Sequence, residues 1–315
     1  MKCSMAPGKI ILFGEHFVVV GKPALGLAVT RYATVCVEKG KGLVYSSKLG
    51  RIEPGAPDAT LFNALLKSFE EWFGVKALVD IYVDSEIPIS SGMGSSAAIA
   101  VATAHALLSY YNVDHSKEDV LKLAHEAEKA VHYKPSGVDT TLATYGGFLY
   151  YKQGVIRKLD VRLPIGYSIV VVNTGVKRST GAVVREVLER YSRLGKTGEH
   201  IYSAAEELVE LALKALHEGD VKLLGELMVV NHGLLWSMGA SSRICDLAVY
   251  ELLEQGALGA KLSGAGRGGI VIGLAEKSKA EILINKLSEK GLEVFTVEPD
   301  YTGVKNTIRE KRFSR

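Results

Sequence analysis

The sequence predicts an α+β protein of two domains, and three observations carry that expectation. A chain of 315 residues is too long for one small core, and length alone argues for about two domains. The first half interleaves strand-like apolar runs with helical apolar stripes. The second half passes through a strand and four helical segments, then closes in strand–loop–strand–helix–strand order. That order suggests an antiparallel sheet covered by helices on one face. Leu163-Pro-Ile-Gly166 is the best boundary, so the expected domains are residues 1–165 and 166–315.

Taken in order, Ile10 to Phe13 suit a buried strand, with Lys9 at its start beside Pro7-Gly8. Gly14 then turns the chain, so that Glu15 and His16 project from the strand end. Polar residues of three types flanking a buried strand are unusual, because strand ends usually carry turn formers. A solvated lysine and a Glu–His surface pair is the plainer reading. Residues 24–38 are strand-rich and turn at Lys39-Gly-Lys-Gly42. Pro57-Asp58 opens a helix reaching about Phe73, with Leu61, Leu65, Phe69 and Trp72 as a core stripe at helical spacing.

A strand over 78–83 leads into Pro88-Ile-Ser-Ser-Gly-Met-Gly-Ser-Ser-Ala-Ala98, and a small-residue apolar segment over 97–108 follows. This reads as strand, glycine loop and buried helix. Gly92 and Gly94 allow the backbone to approach a ligand closely. Ser95 is expected as the N-cap, so that the free amides and positive dipole end of the helix form a phosphate site. Ser95 and Ser96 place hydroxyls where a phosphate-bound Mg²⁺ could take one as an oxygen ligand. The loop has neither the Lys-Ser/Thr ending of a P-loop nor the dinucleotide spacing. Alone, it reads equally well as an ordinary capped turn.

Ser116-Lys-Glu-Asp119 is a capping box opening a helix over 117–132, whose apolar face takes in Val120, Leu121, Ala124, Ala127 and Val131. Glu128 borders that face and needs a partner. Spacing alone favours an ion pair with a neighbouring lysine over a Mg²⁺ ligand. Pro135-Ser-Gly-Val-Asp139 ends this helix and begins another, reaching Tyr145-Gly-Gly147. Asp139 falls in the first turn, where the dipole alone would explain an acid. The position also suits a rigid general base.

A hairpin over 148–151 and 155–159 closes the first half. After the boundary come a strand over 167–172, the polar loop Asn173-Thr-Gly-Val-Lys-Arg-Ser-Thr180, and helices over 181–193, 198–217, 220–237 and 241–255. Asn231-His232 lies inside one of them, where a lone histidine is more often packing than chemistry. Ala260-Lys-Leu-Ser-Gly-Ala-Gly-Arg-Gly-Gly269 links strands over 258–262 and 270–274, before a helix over 276–290 and a strand over 292–297. A loop this poor in bulk turns tightly or lets a ligand approach the backbone. The tail with Lys305, Arg309, Lys311, Arg312 and Arg315 reads as a solvated basic end. It lacks the aromatic interleaving of a nucleic-acid site.

The composition narrows the class. No apolar run approaches the roughly 18 residues of a membrane span, and Lys9, Glu15 and His16 interrupt what would be a signal-peptide core. A cytosolic protein with neither a nucleic-acid nor a membrane partner is expected. A net charge of +3 is too mild to point to any partner. Cys3, Cys36 and Cys245 are scattered and lack metal-ligand spacing, so they read as buried free thiols.

Three stretches now stand together: Pro7-Gly-Lys…Gly-Glu-His16, Pro88…Gly-Met-Gly-Ser-Ser-Ala97 and Lys261-Leu-Ser-Gly-Ala-Gly266. In that order they resemble the three signature motifs of the GHMP small-molecule kinases. The motifs span residues 7 to 269, and three in order are far more specific than any one. Within the family, Ala6-Pro-Gly-Lys-Ile-Ile-Leu-Phe-Gly-Glu-His16, Pro135-Ser-Gly-Val-Asp139, Lys177-Arg-Ser-Thr180 and Asn231-His-Gly-Leu-Leu235 are most similar to the branch that phosphorylates mevalonate. The resemblance implies a two-lobed fold, with an N-terminal lobe like ribosomal protein S5 domain 2, a ferredoxin-like C-terminal lobe and the site in the cleft between them. A homodimer is compatible with it.

Carried over residue by residue, the resemblance makes Asp139 the general base for the C5 hydroxyl of mevalonate, with Lys9 beside it. A neighbouring lysine favours the ionised carboxylate and offsets charge on the alkoxide. Gly92, Met93, Gly94, Ser95, Ser96 and Ala97 would hold the triphosphate of ATP, and Ser96 with Glu128 would bind Mg²⁺. Glu15, His16 and Thr180 would face mevalonate, with Ser263, Gly264 and Ala265 closing over the site. Such phosphoryl transfer depends mostly on positioning and charge stabilisation. Other acceptors of the family (phosphomevalonate, shikimate) are the nearest alternative, and a non-catalytic ligand sensor is the remote one. Arg267 departs from the family's unbroken glycine run, and would either help neutralise phosphate or point outward.

Overall fold

The computed structural model describes residues 1–89, 91–132, 135–177 and 179–308. Ser90, Arg178 and the basic residues Arg309, Lys311, Arg312 and Arg315, which figure in the sequence motifs and tail, lie outside them.

The larger sheet is built from β1 (Lys2–Phe13), β2 (Ala24–Lys39), β3 (Val44–Ser46), β4 (Gly50–Ile52), β5 (Val79–Ser85), β6 (Phe148–Lys152), β7 (Val155–Leu159) and β12 (Lys305–Thr307). Its order is β12-β1-β2-β5-β3-β4, with β6 pairing β2 and β7 pairing β6. The first strand is longer than expected, and Pro7 stands inside it. The ladder to β2 shifts register between Pro7 and Gly8, and a bulge of this kind is where a strand tolerates proline. Past the bulge, Lys9 N–H donates to Met93 O at 2.9 Å, so the glycine loop docks on β1 beside the Lys9 side chain.

Against this sheet lie α1 (Thr60–Phe73), α2 (Ser95–Tyr110), α3 (Lys117–Val131) and α4 (Val138–Tyr145). Helix α2 is apolar almost all round and buried on nearly every face, as such a helix must be. Leu61, Leu65 and Phe69 are buried as the stripe predicts, but Trp72 is 46% exposed. At this end of α1 the packing is made instead by Phe69, Phe73 and Tyr111. On α3 the buried set is Val120, Leu123, Ala124, Ala127 and Glu128. Leu121 is only partly buried and Val131 is exposed, because the inner face turns toward Leu123 instead.

The smaller sheet takes β8 (Tyr167–Asn173), β9 (Gly259–Ser263), β10 (Ile270–Glu276) and β11 (Glu293–Val297), with helices α5 (Thr180–Leu194), α6 (Lys196–Glu218), α7 (Val221–Ser237), α8 (Arg243–Glu254) and α9 (Lys277–Ser288). It is fully antiparallel in the order β11-β8-β10-β9. Both its faces are covered, not one. Val170, Val172 and Val271 pack under α8 and α9, while Ile169, Val171 and Ile272 join the main core. That second face is what makes β8 an unbroken apolar run.

The main core runs continuously from Ile10 and Leu27 of the larger sheet to Ile169 and Ile272 of the smaller, with Leu208 and Met228 between them. Helix α7 sits tightly on β9, since a Cβ on Gly259 would fall 2.0 Å from Gly225 O. The chain then returns to the larger sheet, where β12 pairs β1. Cys3 and Cys36 face each other in the β1–β2 register and form a disulfide, which corrects the expectation of free thiols there. Register is invisible to cysteine spacing. Cys245 is a buried thiol, as expected. Among the described residues no helix is long and apolar enough to cross a membrane.

Candidate active site

The centre of the site joins three elements. The bulge in β1 presents Lys9, the first turn of α4 presents Asp139, and the glycine loop passes beside both. Lys9 Nζ lies 3.2 Å from Asp139 Oδ1, with side-chain exposures of 11% and 39%. Asp139 thus meets its partner from below and stays open to the cleft. Gly94 adopts φ 72°, and a Cβ there would sit 3.0 Å from Lys9 Cγ. Both the left-handed backbone and the close approach require glycine. The left-handed turn makes Gly94, not Ser95, the N-cap of α2, and no side chain caps that helix. Ser95 is therefore its first residue, and the first-turn N–H groups face the loop. Met93 and Ala97 are buried, and Met93 N–H donates to Ser91 Oγ at 3.3 Å.

Ser96 Oγ donates to Glu128 Oε1 at 2.5 Å, and His132 Nε2 stands 3.7 Å from Oε2. Among the described residues no lysine takes the place that spacing favoured beside Glu128, and Lys129 pairs with Glu126. Burial pushes the Glu128 carboxyl above the ordinary range and nearby Asp139 adds to this, against the Ser96 hydrogen bond and His132. Among the described residues no three His, Cys, Asp or Glu side chains cluster for a metal. A hydroxyl and one carboxylate nonetheless suit Mg²⁺, which is commonly held by one or two carboxylates plus substrate phosphates.

Cavities flank this centre on two sides. One of about 310 Å³ is lined by Glu15, His16, Ser136, Val138, Asp139, Thr180, Val184, Gly264 and Ala265 among others. Another of about 410 Å³ is lined by Lys48, Ile52, Leu61, Phe62, Ile99 and Val131, with Ser95 and Ser96. A smaller one of about 190 Å³ between them includes Glu128, His132 and Asp139. Asp139 therefore faces one large cavity, and the serines face the other.

Glu15 lines the first cavity but spends its carboxylate elsewhere. Lys261 Nζ donates to Oε1, and Asn231 Nδ2 donates to Oε2 at 3.1 Å. Lys261 is completely buried, and burial pushes its ammonium pKa down while Glu15 pulls it back up. Sequence reasoning missed both partners. The signal was there for Lys261, because a lysine inside a wholly buried strand needs a carboxylate; Asn231 gave none.

His16 Nε2 bonds Ala265 O at 2.8 Å, which tethers the strand-end turn to the third glycine-rich loop. Ser263 does not close over the cavity: its Oγ donates to Ile11 O at 2.9 Å and accepts from Ile11 N–H at 3.0 Å, latching β9 to β1. Arg267 is partly exposed and held by residues of the C-terminal half. Its Nε donates to Gly239 O at 2.9 Å, and its Nη1 pairs with Glu186 of α5.

Comparison with known proteins identifies the family. The family described as GHMP kinases N terminal domain matches residues 60–147, and GHMP kinases C terminal matches residues 212–292. Mevalonate kinase of Aeropyrum pernix is 41% identical, over 92% of this chain and 94% of that protein. Mevalonate kinase of Pyrococcus abyssi is 36% identical over 92% and 96%. Among solved structures, L. major mevalonate kinase in complex with R-mevalonate has a TM-score of 0.81 at 30% identity, covering 95% of this chain and 96% of that one. Methanococcus jannaschii mevalonate kinase has a TM-score of 0.84 at 26% identity, covering 95% and 98%.

Proposed function

The chain belongs to the GHMP kinase family, and from that membership we propose that it transfers the γ-phosphoryl group of ATP to the C5 hydroxyl of (R)-mevalonate. The observation that carries this reading is the Lys9–Asp139 pair at 3.2 Å, with Asp139 facing the cavity between the lobes. The mevalonate kinases among its relatives support the choice of acceptor.

In this reading Asp139 takes the C5 hydroxyl proton as the oxygen bonds to the γ-phosphorus and the bridging bond to ADP breaks. Lys9 offsets charge on the alkoxide and the moving phosphoryl group. The loop backbone from Gly92 to Ala97 and the N-terminus of α2 hold the triphosphate, and the apolar wall of Ile52, Phe62 and Ile99 takes the base. Ser96 and Glu128 would hold Mg²⁺. Bound there, the ion would neutralise charge on the β- and γ-phosphates. His16, Thr180, Gly264 and Ala265 contact the acceptor, while Glu15 braces its cavity from below. The lobes divide at residues 165 and 166, with β12 returning to the first.

A phosphorylated acceptor would call for extra cations. Lys177 is exposed and stands outside the residues lining the acceptor cavity, and Arg178 lies outside the described residues, so no described cation favours that alternative. The test is ADP release from Mg-ATP with mevalonate, phosphomevalonate, shikimate, homoserine and galactose, beside Asp139→Asn as control. Turnover with mevalonate alone, lost in the variant while ATP still binds, is expected. Turnover on another acceptor would overturn the substrate, and nucleotide binding without any turnover would overturn the reaction.

A further inference from the structure

Val18 and Val19 of the short helical turn Phe17–Val20, together with Tyr151 of β6, line the acceptor cavity. The turn starts from His16, which takes a left-handed backbone at φ 58°. A residue other than glycine keeps that conformation only where its surroundings hold it. At the start of the turn the hold is the His16 Nε2 bond to Ala265 O. At its end the chain closes on itself, with Gly21 N–H donating to Val18 O at 3.1 Å and Lys22 N–H to Phe17 O at 3.2 Å.

Helix α6 of the second lobe meets both this turn and β6. Tyr202, Glu206 and Glu210 follow one another at four-residue spacing, so they share one face of α6. Tyr202 packs edge-on against Phe17, with ring centroids 4.9 Å apart. Glu206 Oε2 accepts from Lys22 Nζ at 2.6 Å, and its Oε1 accepts from Lys152 Nζ at 2.9 Å. One helical turn on, Glu210 Oε1 accepts from the Tyr150 hydroxyl at 3.0 Å. Tyr150 and Lys152 flank Tyr151 along β6, and alternation points them to the other face of the strand. One carboxylate of α6 thus ties together the two segments that line the cavity. Isolated surface ion pairs contribute little, but here both carboxylate oxygens are engaged and Glu206 is only 29% exposed. Its hydrogen bonds from Lys22 and Lys152 hold the carboxyl below the ordinary range, against slight burial.

We propose that Glu206 is a positioning residue for the acceptor: through Lys22 and Lys152 it fixes, from the opposite lobe, the turn and strand that line the acceptor cavity. The proposal deepens the kinase reading and rests on it for the identity of the acceptor. Glu206 itself lies outside the residues lining either large cavity, so its loss should weaken acceptor binding without slowing the chemical step. Glu206→Ala is expected to raise the mevalonate KM about fivefold, with kcat and the ATP KM near wild type. That pattern marks binding lost equally in ground and transition states. Lys22→Met and Lys152→Met should each give part of the rise, and Glu206→Gln, which keeps the shape and loses the charge, should fall between. Salt at about 1 M should close the gap between wild type and Glu206→Ala, because screening weakens a partly exposed ion pair, whereas a packing defect would persist. Amide exchange over residues 17–22 should quicken in Glu206→Ala while that of β1 stays unchanged. Unchanged exchange over 17–22 overturns the clamp whatever the acceptor is. Faster exchange with an unchanged acceptor KM, or a KM gap that survives salt, overturns the positioning role. A wild type that does not turn over mevalonate overturns the reaction instead, and exchange over 17–22 then decides the clamp.

Discussion

Two lysine–carboxylate pairs stand close together in this protein, and they differ mainly in what surrounds them. Lys9–Asp139 leaves its carboxylate 39% exposed, facing the acceptor cavity. Lys261–Glu15 is sealed, with side chains 0% and 1% exposed, and Asn231 binds the remaining Glu15 oxygen. A carboxylate with one partner and an open side can still accept a proton. One with all its oxygens occupied can only hold the backbone around it in place. Pair chemistry is the same in both, so access separates the pair proposed to react from the pair that can only brace.

The largest expected effect breaks the open pair. Asp139→Asn should lower kcat by about 10³-fold or more, within or beyond the usual range for general-base loss, with ATP affinity and melting temperature near wild type. Steady-state kinetics beside a nucleotide titration would check it; an equal loss of stability would put Asp139 among the bracing residues. Breaking the sealed pair should show the reverse pattern. Lys261→Met leaves a buried carboxylate uncompensated and should cost about 3–5 kcal/mol in denaturant unfolding. Adding Glu15→Gln should recover most of that stability while the KM for the acceptor stays raised. If the double variant is no more stable than the single, the pair is not the origin of the loss.

A smaller effect concerns the hydroxyl beside Glu128. Ser96→Ala should raise the Mg²⁺ concentration needed for half-maximal turnover about tenfold, with little change in melting temperature. An unchanged Mg²⁺ dependence would remove Ser96 from the ligand set. The smallest is a control in a partly buried group that belongs to neither pair. His105 bonds Ser4 Oγ at 2.7 Å, and burial, with lesser help from His115 and Lys117, pushes its pKa down to about 4. The unfolded chain takes up that proton near pH 6.5, so the stability from this group is complete above 6.5 and falls as pH drops toward 4. His105→Gln should flatten that acid limb by on the order of 1 kcal/mol, read from unfolding at several pH values, and should leave kcat unchanged.

Much of the site was legible in the chain. Glycine-rich loops, a capping box and isolated polar residues beside apolar runs are local signals, written in a few consecutive residues. They singled out Lys9, Asp139, Ser96 and Glu128 but left a plainer reading open for each; the roles came from the family resemblance, and the GHMP kinase fold, which the relatives bear out, followed from three such stretches in order. Locality also set the errors. Ser95 looked like a cap because serine favours that position, but the turn demanded a left-handed residue and shifted the cap to Gly94. Cys3 and Cys36 looked unrelated because strand register is a pairing of distant segments.

The sequence by itself determined the elements and the glycine loop ahead of α2, because backbone dihedrals and apolar periodicity depend on near neighbours, while the part proposed for Asp139 rests on the family resemblance. Only the tertiary structure decided which charges meet, which remain open and which face of the small sheet is covered. Lys261, Asn231 and Glu15 are separated by up to 246 residues, and burial is a property of what packs around a side chain rather than of the side chain.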